Sequence, residues 1–342
     1  MLIAASASTT ERGGAAASAD RTPRSVPRVS VILPAYNAAA SLPAALRSVL
    51  GQSLQEIEVI VADDGSCDGT VAVAAALART DPRVRVLPGG RNQGAAAARN
   101  RAMAAARGDW LALLDADDGF APDRLARLVA LGEARGADVV ADNLRLVTTK
   151  GRVLGEALHP ADAIFATGLT AAGFVMRNHF LTTGFKLGYL KPLFRRSFVE
   201  ARGIRQNERL RIAEDYHFLL DCLLAGARLV ADPAPGYEYR QTPGSLSRRL
   251  SRHDLQRLRA ADRRLLARHE VQADAALRRA LRRRQWSADL NIHLVGFVAA
   301  MKAGRVLAAG SIFARHPGLM PFLAFYGLQS LRKRLPGGER FV

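Results

Sequence analysis

Along residues 29–147 two hydrophobic patterns alternate. Continuous apolar runs occur at VSVILPAY (29–36), EVIVADDGS (58–66), RVRVL (83–87), WLALLDADD (110–118) and ADVVADNLRLV (137–147), and they predict buried strands. Between them lie stretches with helical spacing. After Ser41, a candidate N-cap, apolar residues fall at Leu42, Ala45, Leu46, Val49 and Leu50, with a stop at Gly51. VAVAAALAR (71–79), AAAARNRAMAAARG (95–108) and PDRLARLVALGEARG (122–136) predict three more helices, the last with proline in its first turn. This alternation implies βα units and a mostly parallel sheet, which binds ligands beyond the carboxyl ends of its strands.

The regularity fades after residue 150. Residues 150–210 read as loop-rich, 211–227 as an amphipathic helix, and the arginine-rich stretch 248–284 as helical. Two weakly amphipathic segments, 290–314 and 319–332, follow. The expected organisation is therefore a disordered tail over 1–27, an α/β domain over 28–250 and a basic, mostly helical region over 251–342. The tail is rich in Ala, Ser, Thr, Gly and Pro and has no sustained apolar run, so it does not read as a secretory signal. The uncharged stretch 316–331 contains Pro317 and Pro321 and is short for a membrane span.

Composition adds two constraints. An apolar content of 49% in 342 residues excludes a disordered chain. The formal net charge is +18, and residues 246–342 carry +14 of it, with 20 Lys and Arg against 6 Asp and Glu. A basic region of this kind attracts phosphate, on nucleic acid or on an anionic membrane. Cys67 and Cys222 have no metal-ligand or disulfide-framework spacing, which fits a reducing compartment.

The candidate chemistry lies at the strand ends. Asp63 and Asp64 end the second predicted strand, Asp115, Asp117 and Asp118 end the fourth, and Tyr36 and Asn37 close the first. Like charges brought together need a positive partner. A hard divalent cation bound by one or two carboxylates and by substrate phosphates would supply it. Taken singly, each motif also fits a plainer role: an Asp-rich turn, a helix cap, or acids at a helix start.

The set is more informative. PAYN (34–37), VADDGSCDGT (61–70), NQGAAAARN (92–100), LDADD (114–118) and AEDYHF (213–218) occur in order, and together they resemble the inverting family 2 nucleotide-sugar glycosyltransferases, which have the GT-A fold. The resemblance spans about residues 28–250. GADVVADNL (136–144), LGYLKPLFRRSF (187–198) and GSLSRRLS (244–251) further resemble bacterial glucosyltransferases of succinoglycan-type exopolysaccharide synthesis.

The resemblance implies roles for individual residues. Pro34, Tyr36, Asn37, Asp63 and Asp64 would hold the nucleotide base, with either aspartate of the pair accepting from uracil. Asn92, Gly94, Arg99 and Asn100 match a donor-site segment in which Arg99 either neutralises phosphate or pairs with an aspartate. Asp117 would ligate Mg2+ or Mn2+, and Asp115 would face ribose or the metal, while Asp118 caps the next helix. Asp215 would be the general base, with Glu214 beside it disfavouring double ionisation and raising its pKa. His217 reads as a packed helix residue. The chain departs from the pattern at 239–247, where Thr242 replaces a common histidine and leaves Arg240 or Ser245 to serve the phosphates.

The implied activity is metal-dependent, inverting transfer of a sugar, expected to be glucose, from a UDP-sugar to a lipid-linked saccharide. The implied location is cytoplasmic and peripheral, on the inner face of the plasma membrane, held there by the basic region with Phe297, Phe313, Phe322, Phe325 and Tyr326. Nucleic acid is not an expected partner, because no recognition module accompanies the arginines. The rival readings are a polyprenyl-phosphate glycosyltransferase of the same fold and a nucleic-acid-binding protein using the arginine-rich tail. A dinucleotide oxidoreductase is disfavoured because GGRNQG (89–94) does not have the G-x-G-x-x-G spacing. An aspartyl phosphohydrolase would leave PAYN and NQGAAAARN without a role.

Overall fold

The computed structural model describes residues 26–180, 185–241, 251–321 and 323–324. Among them nine strands form one sheet: β1 Val29–Ala35, β2 Ile57–Asp63, β3 Val84–Leu87, β4 Trp110–Leu113, β5 Gly119–Phe120, β6 Val139–Thr148, β7 Val153–Glu156, β8 Leu193–Arg195 and β9 Leu229–Gln241. The order is β3-β2-β1-β4-β8-β6-β9-β5, with β7 paired to β6. The ladders β3–β2–β1–β4 and β6–β9 are parallel, while β8 runs antiparallel to both β4 and β6 and so joins the two halves.

The helices are α1 Leu42–Leu50, α2 Thr70–Thr80, α3 Ala95–Ala104, α4 Arg124–Ala134, α5 Ala163–Thr167, α6 Ala171–Met176, α7 Arg196–Ala201, α8 Glu214–Leu224, α9 Arg252–Leu266, α10 His269–Ala273, α11 Ala275–Lys302 and α12 Val306–Arg315. All seven positions of β1 and of β2 are buried, which explains their unbroken apolar runs. Ser41 precedes α1 as expected but makes no side-chain cap; its hydroxyl lies 3.4 Å from the Ala38 carbonyl.

Three sequence expectations change. The 150–210 region holds β7, α5, α6, β8 and α7 rather than loops alone. The long strand β9 escapes a pattern reading because Pro233 and Pro235 interrupt it. Its register against β6 shifts there, between Asp142 and Leu144, as a strand containing proline requires. The boundary expected between 284 and 290 does not exist, since α11 runs unbroken across it.

The C-terminal helices extend the main core, to which Leu265, Val271, Leu277, Ala280 and Leu281 belong. Several of their arginines are paired internally. Arg284, 3% exposed, lies 3.0 Å from Asp262 and stacks 3.9 Å above the Tyr216 ring. Arg259 binds Asp289 and Arg268 binds Asp221, each at 2.6 Å. His217 is buried beside Asp262 at 3.4 Å, the packed role expected of it.

A second buried pair ties the sheet to the site. Arg124 donates to both oxygens of Asp142 at 2.8 Å and to the Lys191 carbonyl at 2.6 Å, and its guanidinium lies 4.4 Å from the Phe120 ring centre. Both side chains are fully buried. Removing one partner strands the other charge, so Arg124→Met is expected to destabilise the fold by about 3–5 kcal/mol in urea titration. The double variant Arg124→Met/Asp142→Leu should recover a substantial part of that loss; an equal or larger loss would show that the ion pair is not the origin of the cost.

Candidate active site

The carboxyl ends of β1, β2 and β4 converge on a cavity of about 670 Å3 that also reaches the start of α8. Its lining includes Pro34, Tyr36, Asn37, Asp64, Asn92, Gly94, Arg99, Asp115, Asp117 and Asp215. Register accounts for the convergence, since Ala35 pairs with Asp63 and Ile32 with Leu113, so the acidic turns after β2 and β4 flank the end of β1.

The end of the cavity at β1 and β2 is built from interlocked turns. Tyr36, 49% exposed, stands at the mouth. Asn37 takes a left-handed backbone at φ 48°, a conformation asparagine tolerates. Its side-chain oxygen accepts from the Cys67 amide at 2.9 Å, and its own amide donates to the Ser66 hydroxyl at 3.0 Å. The adjacent aspartates divide their work. Asp63 turns back to accept from the amides of Gly65 (3.0 Å) and Ser66 (3.2 Å), and so shapes the turn. Asp64 faces the cavity and accepts from the amides of Gln93 (3.0 Å) and Gly94 (2.8 Å), which clamps the loop before α3. Gly94, at φ 96°, starts α3 in a backbone that side-chain-bearing residues rarely adopt.

The centre of the site is an ion cluster. Arg99, 3% exposed, contacts Asp115 Oδ1 at 2.5 Å, Glu214 Oε1 at 2.8 Å and Asp215 Oδ1 at 3.1 Å. Of the two roles open to Arg99, the structure shows the pairing with acids. Lys191, 4% exposed, places its Nζ 2.8 Å from Asp115 Oδ2 and in hydrogen-bond contact with Asp215 Oδ2. Gln206 donates from Nε2 to Asp215 Oδ1 at 2.9 Å and accepts from Arg99 at 3.3 Å. Asn100 is buried and holds the Gln206 backbone in both directions at 2.9 Å. Three carboxylates thus share two cations.

The protonation preferences follow from this arrangement. Burial pushes the Asp115 carboxyl up, but Lys191 and Arg99 outweigh burial and hold it well below the usual carboxylate range. The Arg99 and Lys191 cations are deepened in turn by their acids, against the burial that opposes them. Burial and the adjacent Asp215 charge push the Glu214 carboxyl up.

Asp118 does not cap the next helix. It is 2% exposed and accepts from the Tyr237 hydroxyl at 2.7 Å and from the Arg240 amide at 2.8 Å, while α4 begins beyond Asp123. Burial, then the charges of Asp115 and Asp117, push its carboxyl well up. The Tyr237 oxygen also accepts from the Asp115 amide at 3.3 Å, so a single phenol on β9 orders the whole acidic turn. Thr242 and Ser245 lie outside the described residues.

A divalent cation has a limited donor set here. Among the described residues no three His, Cys, Asp or Glu converge as a cage. Both Asp115 oxygens face cations, both Asp118 oxygens accept hydrogen bonds, and the half-buried Asp117 also lines the cavity. This fits a hard cation held by one or two carboxylates together with substrate phosphates.

Several residues had no sequence assignment as site residues: Lys191, Gln206, Tyr237 and Ala213. Lys191 lies in KPLFRRSF just before β8, and a cation beside an apolar strand start was the available signal. Ala213, at φ 62°, is a left-handed non-glycine residue that turns the chain into α8 so that Glu214 and Asp215 enter the cluster. Nothing in its side chain announces that geometry.

The mixed α/β sheet thus presents acids and a buried cation pair around one cavity at its strand ends. A family model described as "Glycosyl transferase family 2" matches residues 30–198. The succinoglycan biosynthesis protein ExoO of Rhizobium meliloti (strain 1021) is 39% identical over 246 residues, covering 72% of this chain and 70% of that protein. ExoU of the same organism, also a succinoglycan biosynthesis protein, is 37% identical over 262 residues and covers 73% of each. The chain belongs to glycosyl transferase family 2 and is a glycosyltransferase.

Solved structures agree in fold. S. aureus TarS 1-349 in complex with UDP-GlcNAc matches at a TM-score of 0.61 and 18% identity, covering 85% of this chain and 92% of that one. The mannosyltransferase PcManGT from Pyrobaculum calidifontis, in complex with GDP-Man and Mn2+, matches at 0.56 and 21% identity, covering 89% and 81%. The fold is GT-A, as the motif order implied.

Lys191→Met is expected to lower stability, because Asp115 and Asp215 would then share only Arg99. The sign with pH is defined. The folded-state pKa of Asp115 lies below its unfolded value, so the Lys191 contribution is present above the carboxylate range and fades as pH falls through it. The gap in urea midpoint between wild type and Lys191→Met should therefore be widest near neutrality and narrow below about pH 4. A pH-independent gap would remove the electrostatic account.

Proposed function

We propose that the protein transfers a hexose, glucose by resemblance, from a UDP-sugar to a hydroxyl of a lipid-linked oligosaccharide in bacterial exopolysaccharide assembly, with inversion and with a divalent cation. The observation that carries this reading is the meeting of the nucleotide-end aspartate Asp64, the acidic turn Asp115–Asp118 and Asp215 in one cavity. The succinoglycan relatives support the exopolysaccharide setting. The nucleotide-sugar complexes of neighbours with the same fold support a nucleotide-sugar donor.

The resemblance and the geometry support the following roles. Tyr36, exposed at the cavity edge, would pack on the base and the cavity-lining Asp64 would accept from it, while Asp63 would act through the turn it shapes. Asp117, assisted by Asp115, would hold Mg2+ or Mn2+, which supplies charge stabilisation for the departing diphosphate. Asp215 takes the proton of the acceptor hydroxyl as that oxygen attacks the anomeric carbon. Gln206, Lys191 and Arg99 fix its carboxylate from three sides, leaving little rotational freedom to lose in the transition state. The protein would work peripherally on the cytoplasmic face of an anionic membrane, where a lipid-linked acceptor resides. Among the described residues no helix is long and apolar enough to cross a membrane.

Two measurements test this. Asp215→Asn should lower transfer by roughly a hundredfold to ten-thousandfold, the usual range for a positioned base, with UDP affinity nearly unchanged. Retained turnover would take Asp215 out of the base role. Calorimetric titration of UDP with Mg2+, Mn2+ or EDTA should show metal-dependent affinity that Asp117→Ala weakens. Equal affinity under all three conditions would undo the metal assignment.

A further inference from the structure

The basic region holds two surfaces of different character. Through α9, α10 and the first half of α11, three of the arginines face acids: Arg259 with Asp289, Arg268 with Asp221 and Arg284 with Asp262. Beyond Asp289 the chemistry changes. Residues 290–324 contain no Asp or Glu, and Lys302, Arg305 and Arg315 are their basic residues.

This acid-free segment folds as a hairpin with its own small core. Leu290 and Leu294 of α11 pack on Leu319, with Ile312 and Phe313 of α12 against them. His293 stacks on His316 with centroids 3.5 Å apart, and Phe297 meets Phe313 at 6.4 Å. The hairpin therefore has internal reasons to hold its shape, yet it leaves much apolar surface outside. Of the ten large hydrophobic residues exposed among the described residues, six lie between 286 and 320. Every position from 301 to 308 is exposed, through the turn MKAGRVLA, and Leu307 reaches 92% exposure and Val306 63%. Lys302 and Arg305 stand within the same turn. From Ser287, whose hydroxyl accepts from the Phe180 amide at 3.1 Å, α11 carries this tip about 22 Å outward at the usual helical rise.

We propose that the α11–α12 tip, centred on Met301, Val306 and Leu307 with Lys302 and Arg305, is the surface that docks onto an anionic lipid bilayer. Apolar side chains at the end of a closed hairpin enter the interfacial zone without a span, and the adjacent cations meet the lipid phosphates. The absence of any acid over 290–324 removes the repulsion such a surface would otherwise present. The inference gives a location to the membrane partner proposed above and rests on that reading. It also places the membrane contact apart from Arg259, Arg268 and Arg284, whose charges are paired within the fold.

The test is sedimentation of the full chain with phosphatidylcholine vesicles, with and without phosphatidylglycerol, alongside UDP-sugar hydrolysis in solution. Wild type should bind the phosphatidylglycerol-containing vesicles, more weakly at high salt. Leu307→Glu should weaken that binding by about tenfold or more, and Lys302→Gln/Arg305→Gln by several-fold with a flatter salt dependence. Leu307 and Val306 are so exposed that these variants should fold and hydrolyse donor as wild type does. Wild-type binding by Leu307→Glu would overturn the proposal. So would a solution dimer that Leu307→Glu dissociates without any vesicle binding, since the face would then belong to a second copy of the chain. Loss of donor hydrolysis in every form, with vesicle binding intact, would instead count against the proposed reaction and leave the docking surface standing.

Discussion

The site depends on two buried cations, Arg99 and Lys191, placed among three acids. A sheet that gathers carboxylates at its strand ends gathers repulsion with them, and burial sharpens that repulsion by removing water. Arg99 comes from α3, Lys191 from the approach to β8, Asp115 from the turn after β4, and Glu214 and Asp215 from the start of α8. α3 and β4 are consecutive, but the approach to β8 and the start of α8 come about 75 to 100 residues after Asp115, so the cluster forms only when the sheet closes. A charge deleted from it leaves its partners buried and unpaired, and for that reason the cluster ties stability to chemistry.

The same cations connect the proposed donor side of the cavity to the proposed acceptor side. Lys191 touches Asp115, beside the proposed diphosphate position, and Asp215, the proposed base. Its place is set from beneath by Arg124, which binds the Lys191 carbonyl while paired to Asp142 on β6. The antiparallel strand β8 makes this possible. By inserting between β4 and β6 it brings the segment just ahead of it to the centre of the sheet, where a purely parallel crossover would have placed a helix.

The C-terminal helices serve the catalytic domain before they serve any partner. Arg284 reaches into the main body to meet Asp262 and the Tyr216 ring, one residue from Asp215. The helix that carries it then leaves the body and ends in the acid-free tip. A single continuous helix therefore links the packing behind the proposed base to the surface proposed for the membrane.

The chain's own pattern determined the first half of the fold. Strands β1, β2, β3 and β6 and helices α1 to α4 follow directly from apolar runs and helical spacing, because each buries a face whose periodicity is local. The acidic turns and the cavity they enter were legible for the same reason: strand ends in a parallel sheet point one way. Tertiary structure decided what each acid does. Asp63 and Asp64 are adjacent in sequence, yet one shapes a turn and the other faces the cavity. Asp118 bonds Tyr237, a residue of a strand hidden by its prolines. Lys191, Gln206 and the left-handed Ala213 carry no local signature, since their roles arise from contacts across 9 to 107 residues of chain and from a backbone angle that no side chain requires. Periodicity records which side of an element is buried; the identity of its partner across the cavity is a property of the closed sheet alone.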